Sequence, residues 1–156
     1  MILSINLEGF PRRVESMPKY KELINHLHWN LSQEIQENAI EELSKLSVKE
    51  IRYLIQPKEK AYWHNAAIVI QNILKRNQIS NQEEKEILFL MMQWTQDLNW
   101  PGVNVIVDTL KILEVDLVKE MIQESFKVAI EENDECWMDS LESIAEELGF
   151  NERDFL

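Results

Sequence analysis

The fold of this chain is decided by residues 80–97, which read SNQEEKEILFLMMQWTQD. The first four residues match the capping-box pattern S-x-x-E, in which the hydroxyl of Ser80 accepts a backbone N–H and Glu83 reaches back to the start of the helix. The apolar residues that follow cover nearly the whole circumference of a helix, which predicts burial on most sides. We therefore expect a central helix over residues 83–97.

Helical patterns extend in both directions from this segment. A second capping box, Ser47 to Glu50, predicts another helix start. Gly149 follows the last helical pattern in the place of a left-handed C-terminal residue, with Phe150 ready to fold back. Alternation typical of a strand is confined to Leu3, Ile5 and Leu7. The predicted helices cover residues 20–29, 39–46, 48–55, 66–74, 83–97, 103–113, 117–130 and 135–148. The chain is therefore expected to be all-α.

Tryptophan recurs with a fixed period. Trp63, Trp100 and Trp137 are spaced 37 residues apart, and each opens a predicted helical segment. Two helices per unit, with a period of about 30–47 residues, are the signature of an α-solenoid, in which each pair stacks on its neighbour to cover its apolar face. We expect a single domain over residues 1–156. It comprises an N-terminal arm and capping helix (1–32) and about three helical-hairpin units that form an α-α superhelix (33–150).

The Trp100 and Trp137 segments also carry a family resemblance. Residues 96–102, QDLNWPG, resemble the Q-D-x-N-W-P motif of an uncharacterised family of small bacterial helical proteins, and residues 134–137, DECW, resemble its D-E-x-W element. The resemblance spans residues 35–150 and implies HEAT-like α-α repeats with no enzymatic role. Some small bacterial domains of this kind are immunity proteins for secreted toxins. The first unit departs from the motif, because AYWHN at residues 61–65 lacks the Asn-Trp-Pro core.

Negative charge is concentrated in the second half of the chain. The 156 residues include 16 Lys and Arg against 28 Asp and Glu, for a net charge of −12. Residues 1–80 carry 11 basic and 9 acidic side chains, whereas residues 81–156 carry 5 and 19. Such a surface repels a phosphate backbone, so nucleic acid is not an expected partner. It accelerates encounters with basic proteins, although a high net charge also serves solubility alone.

One helix face collects carboxylates. In the last predicted helix, four acidic residues follow i, i+4, i+7, i+11 spacing and share one side. Like charges at i, i+4 cost a few tenths of a kcal/mol each, which suggests a surface that meets a positive partner. A merely solvated face is the alternative. We call these four residues the acidic stripe: Glu135, Asp139, Glu142 and Glu146.

Three further residues complete the predicted partner-binding set: Asp97, Asn99 and Trp100. Equivalent positions of stacked repeats lie side by side, so the three periodic tryptophans, with Asp97, Asn99 and Asn65, are candidates for a ridge along one edge. A structural interpretation competes with this one. Asn99 is a good N-cap, Pro101 suits a first helical turn, and Trp100 can wedge between helices.

Composition argues against several kinds of active site. Three glycines leave no Gly-rich nucleotide loop and no nucleophile elbow. A single Cys136 excludes disulfides, and no base is marked as its catalytic partner. His26 and His28 point to different sides of a helix, and the Glu22–His26 pair has no second pair to complete a metal site. We expect no catalytic residue, no metal and no cofactor. No apolar run reaches membrane length and no signal peptide is evident, so we expect a cytoplasmic protein.

The function predicted from these features is non-enzymatic binding of a basic protein partner by electrostatic docking, with a possible role in toxin neutralisation. Two alternatives remain open at this level. A HEAT-like enzyme acting on nucleic acid requires a continuous positive groove, for which the candidates are Arg12, Arg13, Lys58, Lys60, Lys75 and Arg76. A structural module that self-associates is the other. The sequence leaves the oligomeric state and the identity of the partner open.

Overall fold

The computed structural model describes residues 18–151, which are helical throughout their regular structure. The α-helices are α1 (Pro18–Asn25), α2 (Gln33–Leu43), α3 (Trp63–Arg76), α4 (Gln82–Met91), α5 (Val103–Leu110), α6 (Val115–Glu131) and α7 (Glu135–Glu147). Short 3-10 helices occupy Val48–Tyr53, Lys60–Tyr62 and Met92–Gln96. No strand occurs between residues 18 and 151, and the all-α prediction is confirmed for this range. The alternating Leu3, Ile5 and Leu7 and the pair Arg12, Arg13 lie outside the described residues.

The capping helix expected at residues 20–29 is present as α1, but it ends at Asn25. The chain then turns, with the backbone N–H of Leu27 donating to Ile24 O at 3.1 Å. The N–H of Trp29 donates to Ala61 O, also at 3.1 Å. This bond ties the turn after α1 to the segment that leads into α3.

Burial of the central segment is confirmed. Ile87 to Met92 and Trp94 are all buried, and α4 packs against the 3-10 helix Val48–Tyr53 and against α6. The single helix expected over residues 83–97 is divided, because α4 ends at Met91 and a 3-10 helix continues to Gln96. The tighter 3-10 winding rotates the side chains after Met91 relative to an α-helix.

The start of α4 differs from the expected capping box by one residue. Asn81, not Ser80, is the N-cap, and its Oδ1 accepts the N–H of Glu84 at 2.9 Å. Glu84 Oε1 in turn accepts from the N–H and the hydroxyl of Ser80, both at 2.9 Å. An asparagine amide oxygen caps as well as a serine hydroxyl, so the neighbouring residue takes the role. Glu83 is thereby free to contact Lys49 and Arg52, each at 3.5 Å.

The second capping box forms as expected, with Glu50 Oε1 accepting from the N–H of Ser47 at 3.0 Å and from its hydroxyl at 2.9 Å. The helix that follows is a 3-10 helix of six residues, shorter than the expected 48–55. The helix ends at Tyr53, and Gln56, the residue before Pro57, has a positive φ of 46°.

Helix packing follows the order of the expected units. α3 packs against α5, while α4 packs against α6 and α6 against α7. The 3-10 helix 48–53 contacts α4 and α4 contacts α6, first helix to first helix, and α3 contacts α5, second helix to second helix. In the last unit, α7 packs against the 3-10 helix 92–96 and not mainly against α5. The HEAT-like superhelix itself stays a prediction. The periodic tryptophans lie near the helix starts: Trp63 is the first residue of α3, Trp100 precedes α5 by three residues, and Trp137 is the third residue of α7.

The end of α7 takes the form expected from the sequence. Gly149 has φ 79°, its N–H donates to Glu146 O at 3.0 Å, and the N–H of Phe150 donates to Ala145 O at 2.9 Å. This is the hydrogen-bond pattern of a Schellman cap, and Phe150 folds back against the core. Among the helices of residues 18–151, none has the length and apolar character needed to cross a membrane.

Candidate partner-binding surface

One face of α7 is anchored to the core. Asp134 is its N-cap, and Oδ1 of Asp134 accepts the N–H of Trp137 at 2.9 Å. The side chain of Trp137 is 1% exposed, and its Nε1 donates to Thr95 Oγ1 at 3.0 Å. The Thr95 hydroxyl donates onward to Met92 O at 2.6 Å. This chain of hydrogen bonds fixes the rotation of α7 about its own axis and hence the direction of its other face.

That other face carries the acidic stripe. Glu135, Asp139, Glu142 and Glu146 are all exposed, while Leu141 and Ile144 on the opposite side are buried. Across residues 18–151, no Lys, Arg or His nitrogen lies within 4 Å of any of these four carboxylates. The stripe is therefore a row of negative charges that the described part of the protein does not neutralise.

Some carboxylates elsewhere are paired with lysines. Glu147, next to the stripe in sequence, contacts Lys111 Nζ at 3.1 Å, and the same ammonium contacts Asp108 at 3.2 Å. Hydrogen bonds to Glu147 and then to Asp108 raise the pKa of Lys111 above its ordinary value. Glu124 pairs with Lys127 at 3.2 Å. Lys111, the lysine that contacts α7, thus pairs with Glu147 and not with a residue of the stripe.

The segment Asp97 to Trp100 forms a tight turn beside α7. Asp97 Oδ1 accepts the N–H of Asn99 at 2.8 Å, and Asp97 O accepts the N–H of Trp100 at 3.1 Å. Asn99 is exposed and caps no helix, which corrects the expectation that it is an N-cap. Because Asp97 holds the turn, the chain reaches helical geometry only after Gly102, the residue in the N-cap position of α5.

Pro101 also differs from expectation, since it precedes α5 and does not lie in its first turn. Its carbonyl oxygen accepts the N–H of the buried Trp94 indole at 2.9 Å. The Asn-Trp-Pro-Gly junction is therefore held by a tryptophan from the preceding 3-10 helix, which sequence periodicity did not single out.

The three periodic tryptophans do not form one ridge. Trp63 and Trp100 meet edge to face with ring centroids 5.6 Å apart, and Trp63 meets Trp94 in the same way at 6.2 Å. Trp137 is buried against Thr95 and is a core residue. Asn65, the other expected ridge residue, is buried and donates to Leu27 O and Gln36 Oε1, both at 2.8 Å. The expected ridge is thus reduced to the half-buried Trp63 and Trp100.

The 3-10 helix Met92–Gln96, which leads into the turn, packs against α7. The Sγ of the exposed Cys136 lies 3.5 Å from Gln96 O. Asp97 follows Gln96 and Glu135 precedes Cys136, so the Asp97–Trp100 turn is a neighbour of the first turn of α7. The contact of Cys136 with Gln96 O links the two segments that carry the expected site residues, about forty residues apart in sequence, and the partner-binding set itself stays a prediction.

Two lysines of the predicted nucleic-acid groove, Lys58 and Lys60, lie near this surface. Lys60 Nζ lies 5.9 Å from the ring centroid of Trp100, and Lys58 Nζ lies 5.5 Å from that of Tyr62. We call Lys58, Lys60, Tyr62 and Trp100 the lysine–aromatic corner. Two lysines just before two aromatic residues are a local signal for such an arrangement, but the contact with Trp100 depends on the packing of α3 against α5.

The described members of the proposed nucleic-acid groove are divided between the two ends of α3. Lys58 and Lys60 precede the helix, whereas Lys75 and Arg76 lie at its C-terminal end. A helix of this length separates its ends by about 20 Å. Lys75 and Arg76 line a groove of about 490 Å³ together with Glu37 and Glu41. Acidic residues in this groove do not favour phosphate binding there.

No group of three or more His, Cys, Asp or Glu within the described range is arranged to hold a metal ion. Comparisons of the chain with family models, with curated proteins and with solved structures find no match. The resemblance to the Q-D-x-N-W-P family therefore stays a prediction.

Proposed function

We propose that this protein is a non-enzymatic helical module that binds a basic protein partner through the acidic stripe, with Asp97, Asn99 and Trp100 as adjacent contacts. A HEAT-like stack of helical hairpins, a cytoplasmic location and an immunity-type role belong to the same proposal. The observation that carries it is the row of four exposed carboxylates on α7 without a cation within 4 Å in the described chain.

Electrostatics supports a charged partner. Glu135 and Asp139 are four residues apart on α7, as are Glu142 and Glu146, so each pair repels. Glu146 also lies near the C-terminal end of the helix, where the helix dipole disfavours negative charge. A basic surface that approaches the stripe relieves both effects and gains from a field that steers encounter.

The turn beside α7 supports an anchor for such a partner. Tryptophan is enriched among the residues that dominate binding energy at protein interfaces. Trp100 is half-buried and its position is set by the edge-to-face contact with Trp63. A partner that covers it removes further apolar surface from water without having to order a mobile side chain.

The test measures association with a labelled oligolysine peptide by stopped-flow fluorescence at low and high salt. In the variant carrying Glu135→Lys, Asp139→Lys, Glu142→Lys and Glu146→Lys, we expect the association rate at low salt to fall about 10-fold or more. Its salt dependence is expected to disappear. Circular dichroism verifies that the helical content of the variant is unchanged.

A matched control changes the net charge equally at exposed acids on α2 and α6, with Glu34→Lys, Glu37→Lys, Glu41→Lys and Glu120→Lys. We expect this control to retain most of the association rate. An equal loss in both variants shows that the peptide responds to total charge and not to the stripe, which contradicts the proposal.

A further inference from the structure

The area of α7 is too small for the whole interface. The helix has 13 residues, and a helix of that length offers a face of about 20 Å by 10 Å, or about 200 Å². A stable protein–protein interface buries about 800 Å² on each partner. A partner that docks on the acidic stripe must therefore also cover surface outside α7.

The surface next to the stripe leads to the lysine–aromatic corner. The contact of Cys136 with Gln96 O places the Asp97–Trp100 turn beside the first turn of α7. Trp100, the last residue of this turn, lies against Lys60. Glu135 of the acidic stripe and Lys60 of the corner are thus linked through Cys136, Gln96 and Trp100, and the sign of the charge differs between the two ends of this path.

The backbone of the corner is unusual. Gln56 and Lys58 both have positive φ, 46° and 56°, although neither is glycine. Such conformations are strained for residues other than glycine and persist where the surroundings hold them. Pro57, between them, has its carbonyl oxygen bound by the indole Nε1 of Trp63 at 3.2 Å. The loop is therefore held in a shape that directs two lysines onto one edge of the molecule.

The two ammonium groups are positioned but not neutralised. Each lies over an aromatic ring, whose negative face attracts the ammonium group. Within residues 18–151, neither Lys58 nor Lys60 has a carboxylate oxygen within 4 Å. Glu59, between them in sequence, contacts His28 Nε2 at 4.0 Å. The corner is a local positive site on a chain of net charge −12.

We infer that the lysine–aromatic corner binds an acidic segment, rich in Asp or Glu, of the same protein partner whose basic surface meets the acidic stripe. Apolar contact is available at its margins from Trp29 and Leu98, which are 50% and 41% exposed. The inference rests on the proposed function and extends it, because the partner is expected to carry basic and acidic regions side by side.

The experiment compares three synthetic peptides by fluorescence anisotropy. The first is oligolysine alone, the second is oligolysine joined through a polyproline spacer to oligoglutamate, and the third replaces the oligoglutamate with oligoserine. Spacers of about 6 and 12 prolines span about 19 and 37 Å. We expect the glutamate block to increase affinity about 10-fold over the serine block with at least one spacer, since the second contact becomes intramolecular. If the protein had no local positive site, its net negative charge would repel the glutamate block, and the peptide that carries this block would bind more weakly than the serine peptide.

The variant Lys58→Gln with Lys60→Gln is expected to lose this gain while it binds the serine-block peptide like the unchanged protein. A control, Lys45→Gln with Lys127→Gln, removes the same charge from two other exposed lysines and is expected to retain the gain. The inference is overturned if the glutamate block gives no gain with either spacer, or if the gain survives the changes at Lys58 and Lys60. If oligolysine binds but the glutamate block adds no affinity, the inference fails and the proposed function stands. If none of the peptides binds, both the inference and the proposed function are contradicted.

Discussion

At the scale of single residues, Gly102 controls the junction between the Asp97–Trp100 turn and α5. Its φ is 88°, in the left-handed region that side chains disfavour. A Cβ at this position meets Trp63 O at 2.9 Å, Ala67 Cβ at 3.0 Å and Trp94 Cζ2 at 3.2 Å. The absence of a side chain therefore allows the turn to approach α3 closely and brings Trp100 against Trp63.

We expect Gly102→Ala to lower the free energy of unfolding by about 2–4 kcal/mol, since a left-handed alanine is strained and the added methyl group overpacks the site. Urea denaturation followed by circular dichroism measures the change. Gly149→Ala is the matched control, because Gly149 has φ 79° but no atom lies within 4 Å of a Cβ built there. The control is expected to cost only about 1–2 kcal/mol. Equal losses in the two variants show that close packing at Gly102 contributes nothing.

At the scale of elements, α7 combines a buried face with an exposed row of like charges. Its N-terminus is capped by Asp134 and supplied with an acid at Glu135, in agreement with the helix dipole. Its last turn has no basic residue and ends in Glu146 and Glu147. A glutamate-to-lysine change is therefore expected to alter the stability of the protein in opposite directions at the two ends of α7.

Glu146→Lys is expected to stabilise the protein by about 0.3–1 kcal/mol, because it places a cation at the C-terminal end of the helix and removes the repulsion with Glu142. Glu135→Lys is expected to destabilise it by a smaller amount, since the cation in the first turn opposes the helix dipole while the repulsion with Asp139 is relieved. Thermal unfolding at low salt measures both, and added salt should reduce both effects. Shifts of the same sign for the two variants contradict this account of α7.

Two other elements show where helix type depends on context. The segments 48–53 and 92–96 have helical sequence patterns, yet both form 3-10 helices. The first ends at Tyr53, three residues before Gln56, whose φ is positive. In the second, the Trp94 indole donates a hydrogen bond to Pro101 O, and the Thr95 hydroxyl accepts one from Trp137 Nε1. The tighter 3-10 winding sets the directions of both side chains.

At the scale of the whole molecule, the helices differ in how far the rest of the protein covers them. α4 is covered by the 3-10 helix Val48–Tyr53 and by α6, and Ile87 to Met91 are all buried. α1 packs mainly against α2 at one end of the described chain. α4 therefore has more tertiary contacts to lose on opening than α1.

Native-state hydrogen exchange is expected to show the slowest amides in α4 and the fastest helical amides in α1, because local opening is least costly where few buried contacts are broken. Exchange followed by NMR or mass spectrometry measures the difference, which we expect to exceed about 100-fold, or about 2.7 kcal/mol. Protection in α1 equal to that in α4 contradicts this distribution and places α1 in the same cooperative unit as the core.

The features that follow from local interactions were accessible from the sequence. Helical periodicity, the Glu50 cap, the left-handed Gly149 and the shared face of the acidic stripe all depend on residues within about one or two turns of each other. The N-cap of α4 is Asn81 and not the predicted Ser80, which shows the limit of such patterns. The capping free energies of asparagine and serine differ by only a few tenths of a kcal/mol, so neighbouring residues compete for the role.

Other features required the fold. Trp63, Trp100 and Trp137 share one period, but only their tertiary surroundings distinguish the buried Trp137 from the half-buried pair. The contact of Lys60 with Trp100 and that of Gln96 with Cys136 each span about forty residues. Such contacts depend on how α3, α5 and α7 pack, which no short-range pattern encodes, because packing is settled by side chains that meet from distant parts of the chain. Local chemistry thus specified the helices and the charge on α7, and long-range packing determined which residues adjoin that charge.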